Sequence, residues 1–586
     1  MQDRSILRPL GIFLLLALAW LGCGFVVQDA YWRLMLTLVP IWALLGVAWN
    51  IFSGYSGLVS FGHAAFFGLG AYVVALGQAR LGLTPWLGIP LGALIGGLAG
   101  AAIGYPTFRL RGNYFALAML AYPLMLVSLF SWMGFQEVSV PLHRERPGWY
   151  MQFADGRVYI AIALALLAIG FIASLLVERS RFGLSLLAIK QNELAAEAAG
   201  IDTVRWKLRA MVLSGALAAA AGGLYAVVLL VVTPNSVFGL VVSAQAMILA
   251  LFGGAGTVWG PLIGAAVLVP LGETLQAELG HLLPGIQGVI YGVAVITVIL
   301  AAPEGLYWKL RDMRRPKVPA AAPVTPAPAT MSPDAPCPPV GEPILEVTGL
   351  SKSYGGVGAV SDVSFTVRQG EILGIIGPNG AGKTTLFNLL NGLVQPSAGE
   401  VRFEGRNLAG LRPNRICRLG ISRTFQVVRA FPRMSVRENV VVGAFVAQST
   451  DEAATRAAEA ALADVGMAHR AHATADTLTN RELRLMELAR ALASGPRMIL
   501  LDEPLAGLGS TDTDALMDVV RTLPARGITV VIIEHSMPAM LSLVGRLVVL
   551  DNGRLLADGP PHEVVRQPAV VEAYLGRKWA KADAEG

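Results

Sequence analysis

The chain has 586 residues, of which 54% are hydrophobic and only 15% charged, and its formal net charge is +6. Soluble globular proteins carry about 25% charged residues, so this composition argues against a disordered chain, a secreted protein or a simple cytosolic enzyme. The basic excess lies in residues 1–315, which hold 19 basic and 13 acidic side chains, whereas residues 316–586 hold 27 of each. A nucleic-acid-binding face would put that excess on the water-soluble part, so no nucleic-acid partner is expected.

Residues 1–315 are predicted to form a polytopic α-helical membrane domain of about ten spans. A span needs about 20 mostly apolar residues to cross roughly 30 Å of hydrocarbon. The regular candidates are residues 9–27, 34–52, 61–77, 86–104, 115–132, 159–177 and 210–232. The remaining candidates are 240–252, 260–271 and 286–302, and the total falls to eight or nine if the two short ones are re-entrant. A signal peptide is the alternative for the first stretch, but the spans that follow it at once favour a membrane helix.

The loops between these spans predict the orientation in the membrane. With ten spans, one face collects 15 lysines and arginines, counting Lys317 just beyond residue 315, and the other face collects 5. Because basic loops stay on the cytoplasmic side, both the N-terminus and the exit near residue 303 are predicted to be cytoplasmic, and the loop at 133–158 to face outward.

Small and polar residues inside the spans have two interpretations each. The span at 86–104 carries glycines four residues apart, which favours close helix packing over a role in the substrate path; they are Gly92, Gly96, Gly100 and Gly104. Asn50 and His63 are the main polar candidates, and we expect them to satisfy backbone groups and cap a turn, with a role in substrate contact as the alternative. A path without charges fits a neutral or zwitterionic solute.

A proline-rich segment separates this half from the second one. Residues 316–343 hold 10 of the 34 prolines, together with many alanines, and predict an extended linker. Beyond it, residues 344–578 are predicted to form a water-soluble α/β domain, followed by a tail at 579–586.

The second half contains a phosphate-binding loop in the strand–loop–helix context that this motif requires. The loop is Gly377-x-x-x-x-Gly382-Lys383-Thr384, in the sequence GPNGAGKT. Its glycines let backbone N–H groups surround phosphates, and the following helix adds its positive end. Lys383 is predicted to reach the β- and γ-phosphate oxygens, and the Thr384 hydroxyl to bind Mg²⁺.

Two further apolar strands end in polar residues. RMILLDEP ends in Asp502 and Glu503, of which one carboxylate can hold Mg²⁺ and the other can orient or deprotonate water. ITVVIIEHS delivers His535, which is uninformative by itself.

Taken together, these residues resemble the nucleotide-binding subunit of ABC transporters over roughly residues 344–578. The resemblance implies that Tyr354 stacks on adenine and that Gln426 in SRTFQ couples nucleotide to the membrane domain. It also implies that Glu503, His535 and Gln426 are catalytic. It also implies the cofactors ATP and Mg²⁺, with Thr384, Gln426 and Asp502 as metal ligands. The full implied nucleotide-binding set is Tyr354, Gly377, Asn379, Gly380, Gly382, Lys383, Thr384 and Thr385.

The sequence departs from that family at its signature LSGGQ, which contacts the nucleotide of the opposite subunit. The segment Leu478–Glu482 reads LTNRE here, so both glycines are missing and Arg481 is a long side chain where backbone should approach phosphate. An aspartate of the family aligns with Gly509. We therefore expect an inefficient signature side and an intact P-loop side.

The membrane half resembles the permease subunit of branched-chain amino-acid importers, on GYSGLVSFGHAAFFGLGAY (54–72), FRLRGNYFALAMLAY (108–122), ERSRFGLSLLAIKQNELAAEAAGID (178–202) and LFGGAGTVWGPLIGAA (251–266). The second half resembles an ATP-binding subunit of the same importers, including its ending at 558–576. The resemblance makes residues 193–200 the coupling helix that docks on the ATPase; a solvated connecting helix is the alternative.

The resemblance implies an inner-membrane importer of amino acids, with the ATPase domain and both termini cytoplasmic. It implies three partners: a periplasmic solute-binding protein, a second permease subunit and a second ABC ATPase with an intact signature. Import of urea or short amides is one alternative. An ABC exporter, or an ATP-driven membrane regulator that transports nothing, is another.

Overall fold

The computed structural model describes residues 6–110, 112–143, 145–279 and 341–575, with positions 289, 292–293, 296–297, 300–302 and 305–314. The described chain forms two compact units, of which the first comprises Met1–Lys190 and Thr203–Ala321 and the second comprises Gln191–Asp202 and Ala322–Gly586. Residues 316–340 of the predicted linker at 316–343, and the tail at 579–586, lie outside the described residues.

Among the residues that the structure describes, the first unit is helical apart from one short antiparallel strand pair, β1 (Val138–Ser139) and β2 (Val231–Val232). Its described helices are α1 (Leu7–Val26), α2 (Ala30–Trp49), α3 (His63–Leu81), α4 (Pro85–Thr107), α5 (Asn113–Trp132), α6 (Gly156–Glu178), α7 (Arg181–Gln191), α9 (Thr203–Leu229), α10 (Pro234–Phe238), α11 (Leu240–Gly253), α12 (Gly260–Leu279) and α13 (Leu306–Arg314). A short helix, α8 (Glu193–Ala198), lies between α7 and α9 in sequence and belongs to the second unit.

Eight of the described helical segments are long and apolar enough to cross a membrane, and a ninth apolar helix at Gly260–Leu275 is shorter. The seven regular spans predicted from sequence all fall on such segments. The predicted stretch at 240–252 becomes long enough because α10 precedes α11, giving Pro234–Gly253. The predicted span at 286–302 lies mostly outside the described residues.

Glycines let three helices of the first unit approach each other closely. A Cβ on Gly96 would lie 2.5 Å from the carbonyl oxygen of Gly215 in α9, and one on Gly100 would lie 2.7 Å from that of Met211. A Cβ on Gly92 would lie 3.3 Å from the Cα of Gly70 in α3. These contacts fit the packing interpretation of the glycine stripe, since helices in lipid gain stability from close backbone contact.

The two polar residues singled out in this half both satisfy neighbouring groups. Asn50 begins a π-helical turn, Asn50–Gly54, and its amide bridges distant backbone, donating to the Thr257 carbonyl (2.9 Å) and accepting from the Gly256 N–H (2.7 Å). His63 begins α3, and its two ring nitrogens lie 3.0 Å from Ser60 Oγ and 2.7 Å from Ser214 Oγ. Both side chains are fully buried, and their contacts account for them structurally.

The second unit contains two sheets. A four-stranded antiparallel sheet has the order β4-β3-β6-β7, and a six-stranded sheet has the order β12-β11-β5-β10-β9-β8, parallel except for β12. The strands are β3 (Pro343–Tyr354), β4 (Val357–Arg368), β5 (Ile372–Ile376), β6 (Ala398–Phe403), β7 (Arg406–Asn407), β8 (Ile421–Arg423), β9 (Met498–Asp502), β10 (Thr529–Ile533), β11 (Arg546–Asp551) and β12 (Arg554–Gly559).

Helices cover the larger sheet, so its central strands are apolar along their whole length rather than alternating. The helices of this unit are α14 (Lys383–Leu390), α15 (Pro413–Arg418), α16 (Val436–Ala444), α17 (Asp451–Asp464), α18 (Asn480–Ala493), α19 (Ser510–Thr522), α20 (Met537–Leu543), α21 (Pro561–Val564) and α22 (Pro568–Leu575). The carboxyl ends of parallel strands meet at one edge of a sheet, and that edge is where ligands bind in such folds. The predicted polar residues follow β5, β8, β9 and β10, so this edge is the candidate site.

Candidate active site

The loop between β5 and α14 is shaped by glycines. Gly380 and Gly382 have φ values of +83° and +95°, in the left-handed region that side chains other than glycine rarely adopt. A Cβ on Gly382 would collide with the carbonyl oxygen of Ala359 in β4. The loop therefore keeps its curvature only with glycine here, and it leads directly into the N-terminus of α14.

Lys383, the first residue of α14, is buried beside this loop. Its Nζ donates to the carbonyl oxygens of Gly377 (2.7 Å) and Pro378 (3.1 Å). Since an ammonium has three N–H groups, one remains for a phosphate oxygen. Burial lowers the pKa of Lys383, and the nearby carboxylates of Glu503 and Asp502 oppose that shift.

Three of the predicted residues meet around one carboxylate. Glu503 Oε2 accepts a hydrogen bond from Gln426 Nε2 (2.8 Å), and Glu503 Oε1 lies 2.9 Å from His535 Nε2. Glu503 is buried and has φ of +46°, a strained conformation for this residue type. The amide and the imidazole therefore hold the carboxylate from both sides at the end of β9.

Asp502 forms a buried ion pair that the sequence did not predict. Its Oδ2 accepts from Arg423 Nη2 at 2.7 Å, and the two side chains are 1% and 2% exposed. Arg423 also donates to Asn388 Oδ1 in α14 at 2.7 Å. Burial raises the pKa of Asp502, and the guanidinium opposes that shift. Its second oxygen, Oδ1, has no hydrogen-bond partner among the described residues.

Not every predicted residue joins this cluster. Tyr354 ends β3, is 48% exposed, and has Lys352 Nζ 5.3 Å from its ring centroid. The hairpin that begins there continues into β4, whose Ala359 borders the P-loop. Thr384 is exposed at the start of α14, and Thr385 is half-buried beside it. Asn379 is exposed in the loop.

The degenerate signature begins helix α18 and is closed by its own side chains. Thr479 is the N-cap: its hydroxyl accepts from the Glu482 N–H, while Glu482 Oε2 accepts from the Thr479 N–H (2.9 Å). Arg481, the long side chain expected where backbone should approach phosphate, pairs with Asp512 (3.0 Å). The side chain that faces the helix N-terminus is thus the Glu482 carboxylate.

The segment Gln191–Asp202 packs on the cassette. Asn192 caps α8, accepting from the Ala195 N–H at 3.0 Å. The Gln191 side chain accepts from the Arg433 N–H at 3.0 Å, and Gly200, which has φ of +86°, lies against Val446. The predicted helix is present, and these contacts contradict the alternative of a solvated connecting helix.

Two residues of the site edge were missed in the sequence. Arg423 stands in a fully buried strand, which is an informative anomaly because isolated buried charges are costly. Glu534, next to His535, accepts from the Leu505 N–H (2.7 Å) and the His535 N–H (3.1 Å). A buried acid in the run VIIEHS was the available signal, but its partner Leu505 lies 29 residues away.

Comparison with known proteins accounts for both halves of the chain. Residues 33–300 match the family described as a branched-chain amino acid transport system permease component, and residues 360–506 match the ABC transporter family. Residues 554–580 match the family described as branched-chain amino acid ATP-binding cassette transporter.

Individual relatives agree with these families. The high-affinity branched-chain amino acid transport ATP-binding protein BraF of Pseudomonas aeruginosa is 39% identical over 250 residues, which are 40% of this chain and 98% of that protein. Its Escherichia coli counterpart LivG is 36% identical over 252 residues, with the same two coverages. A solved ABC transporter cassette in its ADP conformation is 31% identical, spans 40% of this chain and 100% of its own, and has a TM-score of 0.38.

The resemblance seen in the sequence is thereby confirmed for both halves. The chain belongs to the branched-chain amino-acid family of ABC transporters, with a membrane-spanning permease segment followed by an ATP-hydrolysing cassette.

Proposed function

We propose that the protein takes up amino acids, specifically branched-chain or other hydrophobic ones, across the bacterial inner membrane at the expense of ATP. The observation that carries this proposal is the cluster of Gln426, Glu503 and His535 beside a complete P-loop. It occurs in a chain whose other half matches a branched-chain amino acid permease component.

The residues at the sheet edge fit ATP with Mg²⁺. The unpartnered buried oxygen of Asp502 suits a cation, because buried carboxylate oxygens are normally satisfied and Mg²⁺ prefers oxygen ligands. Thr384 and Gln426 supply the other oxygen donors that we assign to it. When bound, Mg²⁺ neutralises charge on the phosphate oxygens. The P-loop backbone and Lys383 would hold the phosphates, and Tyr354 would stack on the adenine ring.

Glu503 is the residue that we assign to activate water. A carboxylate has about four lone-pair positions, of which Gln426 and His535 engage two, so it can still accept a hydrogen bond from water and take its proton. The two neighbours fix the direction in which the carboxylate points. In this assignment, Gln426 links that orientation to the segment that contacts α8, and His535 holds the other carboxylate oxygen.

The signature supports an asymmetric assembly. ABC sites form between two cassettes, and the Glu482 carboxylate on the N-terminus of α18 would repel a phosphate presented by a partner. A homodimer would contain this signature in both sites. We therefore propose that the chain pairs with a second ABC ATPase of intact signature and a second permease, and receives its solute from a periplasmic binding protein. The cassette and both termini are assigned to the cytoplasm from the loop charges.

Reconstitution tests the proposal. The chain would be purified alone and together with its genomically neighbouring subunits and binding protein, placed in liposomes, and assayed for ATP-dependent leucine uptake. We expect uptake and solute-stimulated hydrolysis only with the full set of subunits. Vigorous solute-stimulated hydrolysis by the chain alone would contradict the asymmetric assembly.

The same assay distinguishes the alternatives. Uptake of urea or short amides in place of leucine would replace the substrate class and keep the importer. Outward flux would identify an exporter. ATP binding without flux of any solute, together with nucleotide trapping in Glu503→Gln, would identify a regulator.

A further inference from the structure

One face of helix α18 carries three ionisable side chains into the protein interior. Arg484, Glu487 and Arg490 are three residues apart, so they project from neighbouring positions on the helix, and they are 7%, 1% and 4% exposed. Buried charges destabilise a fold unless they are paired and hydrogen-bonded. The partners of these three residues therefore indicate what they do.

The partners lie mainly in one short segment, residues 425–429, which has no regular secondary structure. Arg484 donates from Nη1 to the Phe425 carbonyl (3.0 Å) and from Nη2 to the Gln426 carbonyl (2.7 Å). Arg490 Nη1 donates to the Arg429 carbonyl (2.8 Å). Glu487 Oε1 accepts from the Arg429 N–H (3.3 Å) and pairs with Arg490 (3.2 Å). The segment is thus held through its backbone at both ends.

The same segment has two functional contacts through its side chains. Gln426 bonds Glu503 at 2.8 Å, and Arg429 Nη1 lies 3.4 Å from Oδ1 of Asn192, the cap of α8. A shift of residues 425–429 would therefore move the amide that orients the Glu503 carboxylate. It would also change the contact with α8.

We propose that Arg484, Glu487 and Arg490 are positioning residues for ATP hydrolysis: they form a clamp on α18 that fixes residues 425–429 and so sets Gln426 against Glu503. The inference rests on the proposed roles of Gln426 and Glu503. It gives α18 a function within its own subunit, independent of the signature at its N-terminus.

The geometry distinguishes the clamp from general stabilisation. A buried ion pair is often replaceable by apolar side chains without loss of stability. Here the pair also serves an irregular segment, and Arg484 grips two successive carbonyls with its two terminal nitrogens. A lysine would keep the charge but lose that fork, because its ammonium is a single point donor.

The test compares Arg484→Lys with a matched control, Arg521→Lys, whose arginine makes an exposed pair with Asp518 in α19. ATP turnover is measured in the assembled transporter. Since small displacements of catalytic groups are costly, we expect Arg484→Lys to lower kcat about tenfold or more, with the half-saturating ATP concentration changed less than about twofold. The control should match the wild type. Equal kcat in Arg484→Lys and the wild type would overturn the proposal.

A double-mutant cycle with Gln426→Ala distinguishes a role of Arg484 in positioning Gln426 from a purely structural role. If Arg484 acts through Gln426, Arg484→Lys should cost less than about twofold in a Gln426→Ala background. If the losses in kcat of the two single variants multiply in the double variant, the clamp is contradicted.

A second test does not depend on ATP turnover, so it can be used even if the wild-type transporter fails to hydrolyse ATP. That failure would contradict the proposed function rather than the clamp. Amide hydrogen exchange of the full chain in detergent should be faster over residues 425–429 in both Arg484→Lys and Glu487→Gln. Exchange in β9 should stay unchanged. Unchanged exchange over 425–429 in both variants would overturn the clamp even if the transporter is inactive.

Discussion

The P-loop and the signature stand in the same cassette, and both place the N-terminus of a helix where a phosphate is expected. At α14 the glycine loop leads into the helix N-terminus, and Lys383 has a donor to spare. At α18 the Glu482 carboxylate already lies at the helix N-terminus, where it accepts from the N–H of the capping residue Thr479. A helix N-terminus is therefore an anion site only when the protein has not supplied the anion itself.

The largest expected effect comes from the catalytic carboxylate on the P-loop side. Glu503→Gln keeps the size of the side chain and removes its basicity, so we expect ATP turnover to fall by about 100-fold or more. ATP binding, followed with a fluorescent nucleotide, should stay within about twofold of the wild type. A variant that still turns over ATP at half the wild-type rate would contradict the role of Glu503.

Two glycine-to-alanine variants compare the P-loop with the region beside the signature. Gly382→Ala introduces a Cβ against the Ala359 carbonyl at φ of +95°, so we expect ATP affinity to fall about tenfold, from strain of about 1–3 kcal/mol. Gly509→Ala is the matched control, because a Cβ there meets no atom of the described residues within 4 Å. Similar nucleotide affinities for both variants, by titration, would contradict a preformed P-loop.

Removing the negative charge from the signature should raise ATP turnover, by a smaller factor than the losses expected above. Glu482→Gln keeps the capping geometry but takes away the negative charge, so we expect the assembled transporter to hydrolyse ATP about two- to fivefold faster. The Arg470 pair with Glu482 is partly exposed, and its loss should change thermal stability little. If Glu482→Gln and the wild type turn over ATP equally fast across a range of salt concentrations, the Glu482 charge does not limit hydrolysis at the site that contains the signature.

The smallest effect concerns stability alone. Thr479→Ala removes the N-cap of α18, so we expect the cassette to lose about 1 kcal/mol and its Tm to fall by about 2–4 °C. Thr479→Ser should retain the wild-type Tm because serine caps equally well. ATP affinity at the P-loop should be the same in both variants, and a loss in Thr479→Ala alone would mean that the two sides are coupled within one chain.

The parts of the site that could be predicted from the sequence are short motifs whose residues lie next to one another in the chain. The P-loop could be located because its spacing and its flanking strand and helix are local. Asp502 and Glu503 could be located because parallel strands end at a common edge. Arg423 and Arg484 could not be assigned in this way, since their partners Asp502 and Gln426 lie 79 and 58 residues away.

In the membrane half, too, local features could be predicted from the sequence and contacts between distant residues could not. The span positions follow from composition, and Asn50 bonds backbone groups as expected, whereas His63 contacts the hydroxyls of Ser60 and Ser214. The particular bridge from Asn50 to Thr257 joins residues 207 positions apart and required the fold. The signature was expected to be inefficient because both glycines are missing and Arg481 is long. The fold adds that Arg481 pairs with Asp512 and that Glu482 lies at the helix end. Side-chain direction depended on a tertiary partner that the motif did not contain.

Helix α8 has a consequence for the order of events during synthesis. Its segment packs with residues of the cassette 218 to 242 positions further along the chain. At about 5–20 residues per second, a ribosome needs roughly 10 to 50 seconds to make that intervening length. Throughout this interval the apolar face of α8, with Ala195 and Ala198, has no cassette to cover it. The newly synthesised membrane half therefore carries an uncovered docking helix until its own cassette has been translated and folded.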